Sequence, residues 1–285
     1  MQHGPAVRRR KLGAELRTLR SRAGLTSGEA ARLVGWHQSK VSRIETGTSG
    51  AKPADVRLLL DAYGVADPQL RELLVVLAGS DHVGGHHWWH AYRGVLPPTY
   101  RDFISLESQA SAMRTLETSV VPGLLQTPEY ARAVTRAAVD GLESERLDAL
   151  VEVRLARQDV LRAEPPLELS AVLDEAVLRR EVGGPEVMAR QLEQLVEAAR
   201  LPQVRLQVLP FAAGAHIGVT GPFVIFSFSR TSDLDVVVLD HLTSSLYLER
   251  KEDLRAYTEA FNSLQIHALS PEDSLDYIAA IGDGA

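Results

Sequence analysis

The chain has no cysteine among its 285 residues, which excludes disulfide staples, a thiol nucleophile and thiolate metal sites. Aromatic residues are scarce at 6%, against an ordinary 45% of hydrophobic residues, so any core must be built mainly from aliphatic side chains. Long apolar runs are missing. The longest aliphatic stretch, Leu73 to Ala78, falls far short of the ~20 residues that a membrane helix needs. The basic run Arg8-Arg9-Arg10-Lys11 leads into an amphipathic pattern, not an apolar signal core. Catalytic signatures are absent as well: there is no G-x-S-x-G elbow, no phosphate loop ending in Gly-Lys-Ser/Thr, no H-E-x-x-H and no G-x-G-x-x-G after a strand. The expectation is a protein that is not an enzyme, has no cofactor and has no membrane partner.

What is present is concentrated near the amino terminus. Leu25 to Gly47 reads as two short amphipathic helices around a glycine turn. Ala30, Leu33 and Val34 mark the inner face of the first helix, Val41 and Ile44 that of the second, and Gly35 sits at the turn. Thr26 followed by Glu29 is a capping-box pattern that satisfies two orphan backbone donors. Helices this short need further elements to pack on. Arg8 to Arg22 supplies one through Leu12, Leu16 and Leu19, ending at Gly24. Two more helices are marked by Val56, Leu59, Leu60 and Tyr63, and by Leu70, Leu73, Leu74 and Leu77. Trp36 is expected to join the core at the turn.

The charge distribution divides the chain. It carries 31 Lys and Arg against 37 Asp and Glu, a net charge of −6. Residues 1–50 hold ten bases and three acids, net +7, which leaves −13 for the rest. A basic head on an acidic body is the footprint of a phosphate-binding module joined to something that does not touch nucleic acid.

Ser42-Arg43-Ile44-Glu45-Thr46-Gly47 resembles the S-R-I-E-x-G ending of xenobiotic-response-element regulators, whose fold is lambda-repressor-like. The resemblance implies a five-helix helix-turn-helix domain in which the second motif helix enters the major groove of a double-stranded operator. By motif position, Gln38, Ser39, Ser42 and Arg43 are then the base readers, with Gln38 suited to adenine and Arg43 to guanine. Thr26, Ser27, Lys40, Thr46 and Thr48 suit phosphates. One such head buries too little surface for tight, selective binding, so a homodimer on two half-sites is expected, and without a leucine zipper its interface must come from the rest of the chain.

That remainder reads as α+β. Periodicity fails across the glycine- and histidine-rich Gly79–His90, a linker. A long helix is expected over Tyr100–Glu117, then helices over Pro128–Val139 and Leu142–Arg162. Beyond Pro165-Pro166 the period changes. Leu167–Val172, Val204–Val208, Phe223–Phe226, Asp235–Leu239 and Ser245–Leu248 alternate like strands, with helices over Glu186–Arg200, Asp253–Leu264 and Ser270–Ile281. The expected organisation is a helix-turn-helix domain at 1–79, a linker at 80–99 and, at 100–285, a helical segment followed by a small sheet flanked by helices.

This second part resembles the domain of unknown function found behind such heads in actinobacterial, WhiJ-like regulators. The resemblance rests on Trp88-Trp89, Val121 to Arg132, Arg154 to Gln158, Leu173-Asp174-Glu175-Ala176 and Val208 to Gly214. The family pattern carries a glutamate near the end of the late strand, where this chain has Asp240-His241. The resemblance implies a developmental or antitoxin-like repressor, encoded beside a small acidic partner protein, and a cytoplasmic, nucleoid-associated location.

The candidate ligand or partner site comprises Gln126 and Tyr130, which join polar groups to a helix start, and Arg154, Arg157 and Gln158 on one helical face. Glu175 and Asp174 follow a strand end and are expected to pair with those arginines across the body, as a buried charge network or the lining of a polar pocket. The same residues serve an alternative reading in which the body is an enzyme or metabolite-binding module targeted to DNA. His86 and His90, four apart, are a weak zinc or nickel pair; with Asp81 the only nearby acid, a polar loop anchored by Trp88 and Trp89 is the better account. Gly214 to Gly221, which includes His216, reads as a loop that must bend.

Overall fold

The computed structural model describes residues 4–79, 88–92, 94–139, 141, 143–228, 235–242 and 244–283. They form two compact units whose main division falls between Trp88 and Trp89.

The first unit is helical throughout: α1 (Gly4–Arg22), α2 (Ser27–Leu33), α3 (Gln38–Glu45), α4 (Pro53–Ala62) and α5 (Pro68–Gly79). Leu12, Leu16 and Leu19 of α1 meet Val41 and Ile44 of α3, and Val56, Leu59 and Leu60 of α4 are buried with them. The α1 helix stops where Gly24 takes φ +72°, and the α2–α3 turn depends on Gly35 at φ +69°, a backbone region that other residues rarely adopt. Two inner-face expectations need correction. Leu33 is 62% exposed, and Ala31 beside Ala30 is buried instead. Trp36 is only half-buried. With α2 only seven residues long, its last turn reaches past the core, so apolar character there does not report burial.

The second unit contains α6 (Pro98–Glu107), β1 (Ala112–Glu117), α7 (Pro128–Ala138), α8 (Ser144–Ala156), β2 (Glu168–Asp174), α9 (Glu175–Arg179), α10 (Pro185–Ala198), β3 (Val204–Leu209), β4 (Phe223–Ser227), β5 (Val236–His241), β6 (Ser244–Leu248), α11 (Lys251–His267) and α12 (Pro271–Asp283). The sheet runs β3-β2-β1-β4-β5-β6. Its first three strands are parallel and joined through helices, and its last three form an antiparallel meander. The class is α+β, as the alternation after Pro166 indicates, yet the expected long helix over Tyr100–Glu117 is wrong. The helix ends at Glu107, where Gln109 Nε2 folds back to donate to the Ser105 carbonyl at 2.7 Å, and the chain re-enters as β1, in the interior of the sheet. This strand is covered on both faces, so it lacks the one-sided alternation that marks a half-exposed strand. The remainder is built of helices and a six-stranded mixed sheet flanked by helices, as expected, with β1 as one of the sheet's strands.

Side chains of β1 alternate between two layers. Leu116, with Val172, Phe223, Ile225 and Val237, packs under Phe261 and Leu264 of α11. The other face carries Met113 and Phe226, which are register partners. Phe103 of α6 stacks edge-on against Phe226 with ring centroids 5.2 Å apart, so α6 covers this second face. No described helix is long and apolar enough to cross a membrane.

Gly13 is a close-contact position that periodicity did not single out. A Cβ placed there would lie 2.3 Å from the Ile44 carbonyl oxygen and 2.7 Å from that of Glu45, so α1 and the end of α3 approach as only glycine allows. Gly13→Ala is expected to destabilise the first unit by about 2–3 kcal/mol, because the clash is with backbone. Thermal melting checks this, and an unchanged first-unit transition would show that the two helices separate at little cost.

Candidate nucleic-acid interface and polar cluster

The exposed face of α3 is defined by what its other face must bury. Val41, Ile44 and Glu45 point inward, which leaves Gln38, Ser39, Ser42 and Arg43 on the exposed side. The burial of Glu45 requires an ion partner. Arg20 of α1 supplies it as a fork, with Nε at 2.7 Å and Nη2 at 3.0 Å from the two carboxylate oxygens, and Tyr63 donates its hydroxyl hydrogen to the same carboxylate at 3.3 Å. The carboxylate in turn raises the Arg20 guanidinium above its ordinary value. This triad ties α1, α3 and the end of α4 together, so the orientation of α3 is set by a buried charge.

The capping box forms as expected: Glu29 N–H donates to Thr26 Oγ1 at 3.2 Å and Thr26 N–H donates to Glu29 Oε2 at 2.8 Å. Gln38 Nε2 donates to Ser27 Oγ at 3.0 Å, which joins the first residues of α2 and α3. Thr46 and Thr48 share a hydroxyl hydrogen bond of 2.9 Å and are exposed. Lys40 lies elsewhere than an open phosphate contact: its Nζ is 2.9 Å from Asp55 Oδ1 and 3.5 Å from the centre of the Trp36 ring. Asp55 also accepts the Lys52 N–H at the start of α4. Arg43, by contrast, makes no hydrogen bond or ion pair with any described residue and remains a free cation on the exposed face of α3.

In the second unit a polar cluster lies on the α6 face of the sheet, at the carboxyl end of β1. Arg157 is buried and grips Glu107 through Nε and Nη2, both at 2.7 Å, while Nη1 donates to Tyr100 Oη at 2.6 Å. Burial alone lowers the Arg157 guanidinium, and the Glu107 carboxylate outweighs it and leaves it raised. Arg154 is less well served. Among the described residues its one hydrogen bond runs from Nη1 to Gln126 Oε1 at 3.2 Å, and burial pulls its guanidinium down, with Arg157 adding to the fall and Tyr100, Glu117 and Glu107 opposing it. Gln126 Nε2 donates to the Val121 carbonyl at 2.7 Å, Gln158 Nε2 to the Gln126 carbonyl at 2.7 Å, and the Val121 N–H donates to Tyr130 Oη at 3.1 Å. Beside them Glu117, the last residue of β1, receives one hydrogen bond among the described residues, from Thr115 Oγ1 at 3.1 Å. Burial pushes its carboxyl up to about 7, with Asp240 adding to the rise and Arg154 and Arg157 opposing it.

Residues 11–74 match the family model of a helix-turn-helix domain, and residues 100–280 match that of the Domain of unknown function (DUF5753). The chain belongs to the DUF5753 family. With its helix-turn-helix head it is a DNA-binding regulator. Searches of the curated proteins and of the solved structures match nothing.

Within the DUF5753 domain the candidate residues divide into two places. Gln126, Tyr130, Arg154, Arg157 and Gln158 come together, with Arg157 and Gln158 on the single 3-10 stretch Arg157–Leu161 that continues α8. Glu175 does not join them, and the expected pairing across the body is wrong. Glu175 binds Arg179 one helical turn on and accepts the Phe211 N–H at 2.8 Å, while Asp174 caps α9 through the Ala176 N–H at 2.8 Å. The partner of Arg157 is Glu107, 50 residues earlier, a separation that carries no local sequence signal. Glu117 carries no sequence signal of its own, because the apolar spacing predicts helix across Tyr100–Glu117. His216 accepts the Gly218 N–H at 3.1 Å between Gly214 and Gly221, both at positive φ, so that loop does bend as expected. His86 and the side chain of His90 lie outside the described residues; Trp88–Tyr92 form a 3-10 helix.

The raised Glu117 carboxyl has a thermodynamic consequence. Between the ordinary glutamate range and about pH 7 the folded domain holds a proton that the unfolded chain has released, so stability falls as pH rises through that window. Relative to the parent, Glu117→Gln is expected to gain about 1–2 kcal/mol from pH 4.5 to pH 7.5, less than the full shift because the carboxylate is only part-buried. Urea melts of the full chain across this range test it, and parallel profiles would mean that Glu117 ionises normally.

Proposed function

We propose that this chain is a sequence-specific transcriptional repressor that binds a double-stranded operator as a homodimer, and that its DUF5753 domain receives a small partner protein or ligand. It acts by binding, not by catalysis. The observation that carries the DNA-reading part is the exposed face of α3: Gln38, Ser39, Ser42 and Arg43 are presented together on a helix anchored from behind by the Arg20–Glu45–Tyr63 triad. Arg43 has no partner among the described residues to give up, so its fork is available to guanine O6 and N7. Thr26, Ser27, Thr46 and Thr48 lie at the ends of the same two helices and serve as phosphate contacts, and Lys40 reaches phosphate by leaving Asp55.

Dimerisation follows from the small footprint of one head, since a single module reads too few base pairs for selective binding. The receptor role of the second domain is supported by Arg154, which is part-buried and lacks an ion partner among the described residues. The reading agrees with the actinobacterial, antitoxin-like regulators that the sequence resembles.

Selection of bound DNA by the purified protein tests this reading. A palindromic site with half-sites about one helical turn apart is expected. Arg43→Ala should relax one base pair in each half-site, at about 1–3 kcal/mol per contact, and leave the others intact. An equal loss on every sequence would remove Arg43 from the readers, and non-palindromic selection would contradict the dimer.

A further inference from the structure

The unsatisfied groups of the polar cluster are complementary to one another and stand at one place in the fold. β1 connects through α7 and α8 to β2 on one side of the sheet, while β4 and β5 lie on its other side. The carboxyl ends of the parallel strands β1 and β2 lie together at one edge of the sheet. Glu117 closes β1 at that edge. Asp240 of β5 lies on the same face: Thr115 pairs with Val224 and Val224 with Val238, and Glu117 and Asp240 each follow two residues further on. One intervening strand separates them, so their backbones are about 10 Å apart. Above the same face stand Arg154 and Gln126.

Within this group the paired and unpaired charges are readily sorted. Glu107 occupies one edge of the Arg157 fork through Nε and Nη2, and Tyr100 takes Nη1. Arg154 has one neutral hydrogen bond, and its other N–H groups meet no acceptor among the described residues. Glu117 has one donor, from a hydroxyl, and Asp240 is exposed. Arg154 and Glu117 are both part-buried, so each retains a path to solvent while being poorly solvated.

We propose that Arg154, Gln126, Glu117 and Asp240 form the receptor site for a small zwitterion of amino-acid type. The ligand carboxylate lies on the guanidinium of Arg154, beside the amide of Gln126, and its ammonium group faces Glu117 and Asp240. A planar carboxylate matches the guanidinium fork. A phosphate dianion fits less well, because it would bring two negative charges towards two carboxylates, whereas a zwitterion presents each end to its opposite. The ammonium group also provides a counter-charge for Glu117, so binding draws the carboxyl towards its ionised form.

This inference rests on the reading of the DUF5753 domain as a receptor, and the experiment separates the two. The full chain is titrated with each standard amino acid, and with acetate, methylammonium and inorganic phosphate as singly functional controls. The readouts are melting temperature and, independently, operator affinity. At least one amino acid is expected to raise the melting temperature by about 2–4 °C at tenfold or greater excess over its Kd. The controls should do so weakly or not at all. Arg154→Lys and Glu117→Gln should each weaken that binding tenfold or more while retaining the ligand-free helical content and operator affinity of the parent. Acetate or phosphate acting as strongly as any amino acid overturns the zwitterion, and no response to any amino acid overturns the site. Binding that leaves operator affinity unchanged supports the site and overturns its regulatory role.

Discussion

A carboxylate removed from water stays ionised only if a cation comes with it, and each unit of this protein is organised around one such arrangement. In the first unit Glu45 lies between the forked guanidinium of Arg20 and the hydroxyl of Tyr63. In the second, Glu107 holds the buried Arg157, whose remaining amino group reaches Tyr100. Removal of one member of such a pair leaves an uncompensated charge, at a cost of about 3–5 kcal/mol. These pairs therefore tolerate little change in the helices that carry them. The first fixes the tilt of α3 against α1 and α4, and the second locks the stretch after α8 onto α6.

The same accounting separates structural charges from available ones. Arg157 and Arg154 sit three residues apart and look equivalent in the sequence, yet one is committed to Glu107 and Tyr100 while the other keeps a single neutral hydrogen bond among the described residues. Lys40 and Arg43 show the same contrast on α3. Lys40 rests between Asp55 and the Trp36 ring, whereas Arg43 projects without a partner among the described residues. The second member of each contrast can bind an outside molecule without first losing an internal ion pair, whereas a charge satisfied internally must give up that interaction before it binds anything else.

The placement of β1 explains why the second site forms at all. As a central strand with parallel and antiparallel neighbours, it carries its final residue to the edge where the chain reverses direction across the sheet. Glu117 is held there by the backbone, and the loop over residues 118–127 then brings Gln126 above it. Had this segment continued as helix, Glu117 and Arg154 would share no surface.

Sequence alone determined the local features: the capping box at Thr26 and Glu29, the positive-φ turns at Gly24 and Gly35, the strands after Pro166 and the exposed face of α3. All of these depend on residues within one or two helical turns or on a simple alternation, where neighbours in sequence are neighbours in space. Tertiary structure decided the rest. Arg20 meets Glu45 across 25 residues and Arg157 meets Glu107 across 50, and no local pattern encodes such a pairing. β1 escaped detection because both of its faces are covered, Leu33 and Trp36 misled because burial depends on what packs opposite, and Gly13 mattered only once a second helix had approached it. Periodicity reports which side of an element is apolar; only the assembled fold shows what that side meets, and which charges are left without a partner.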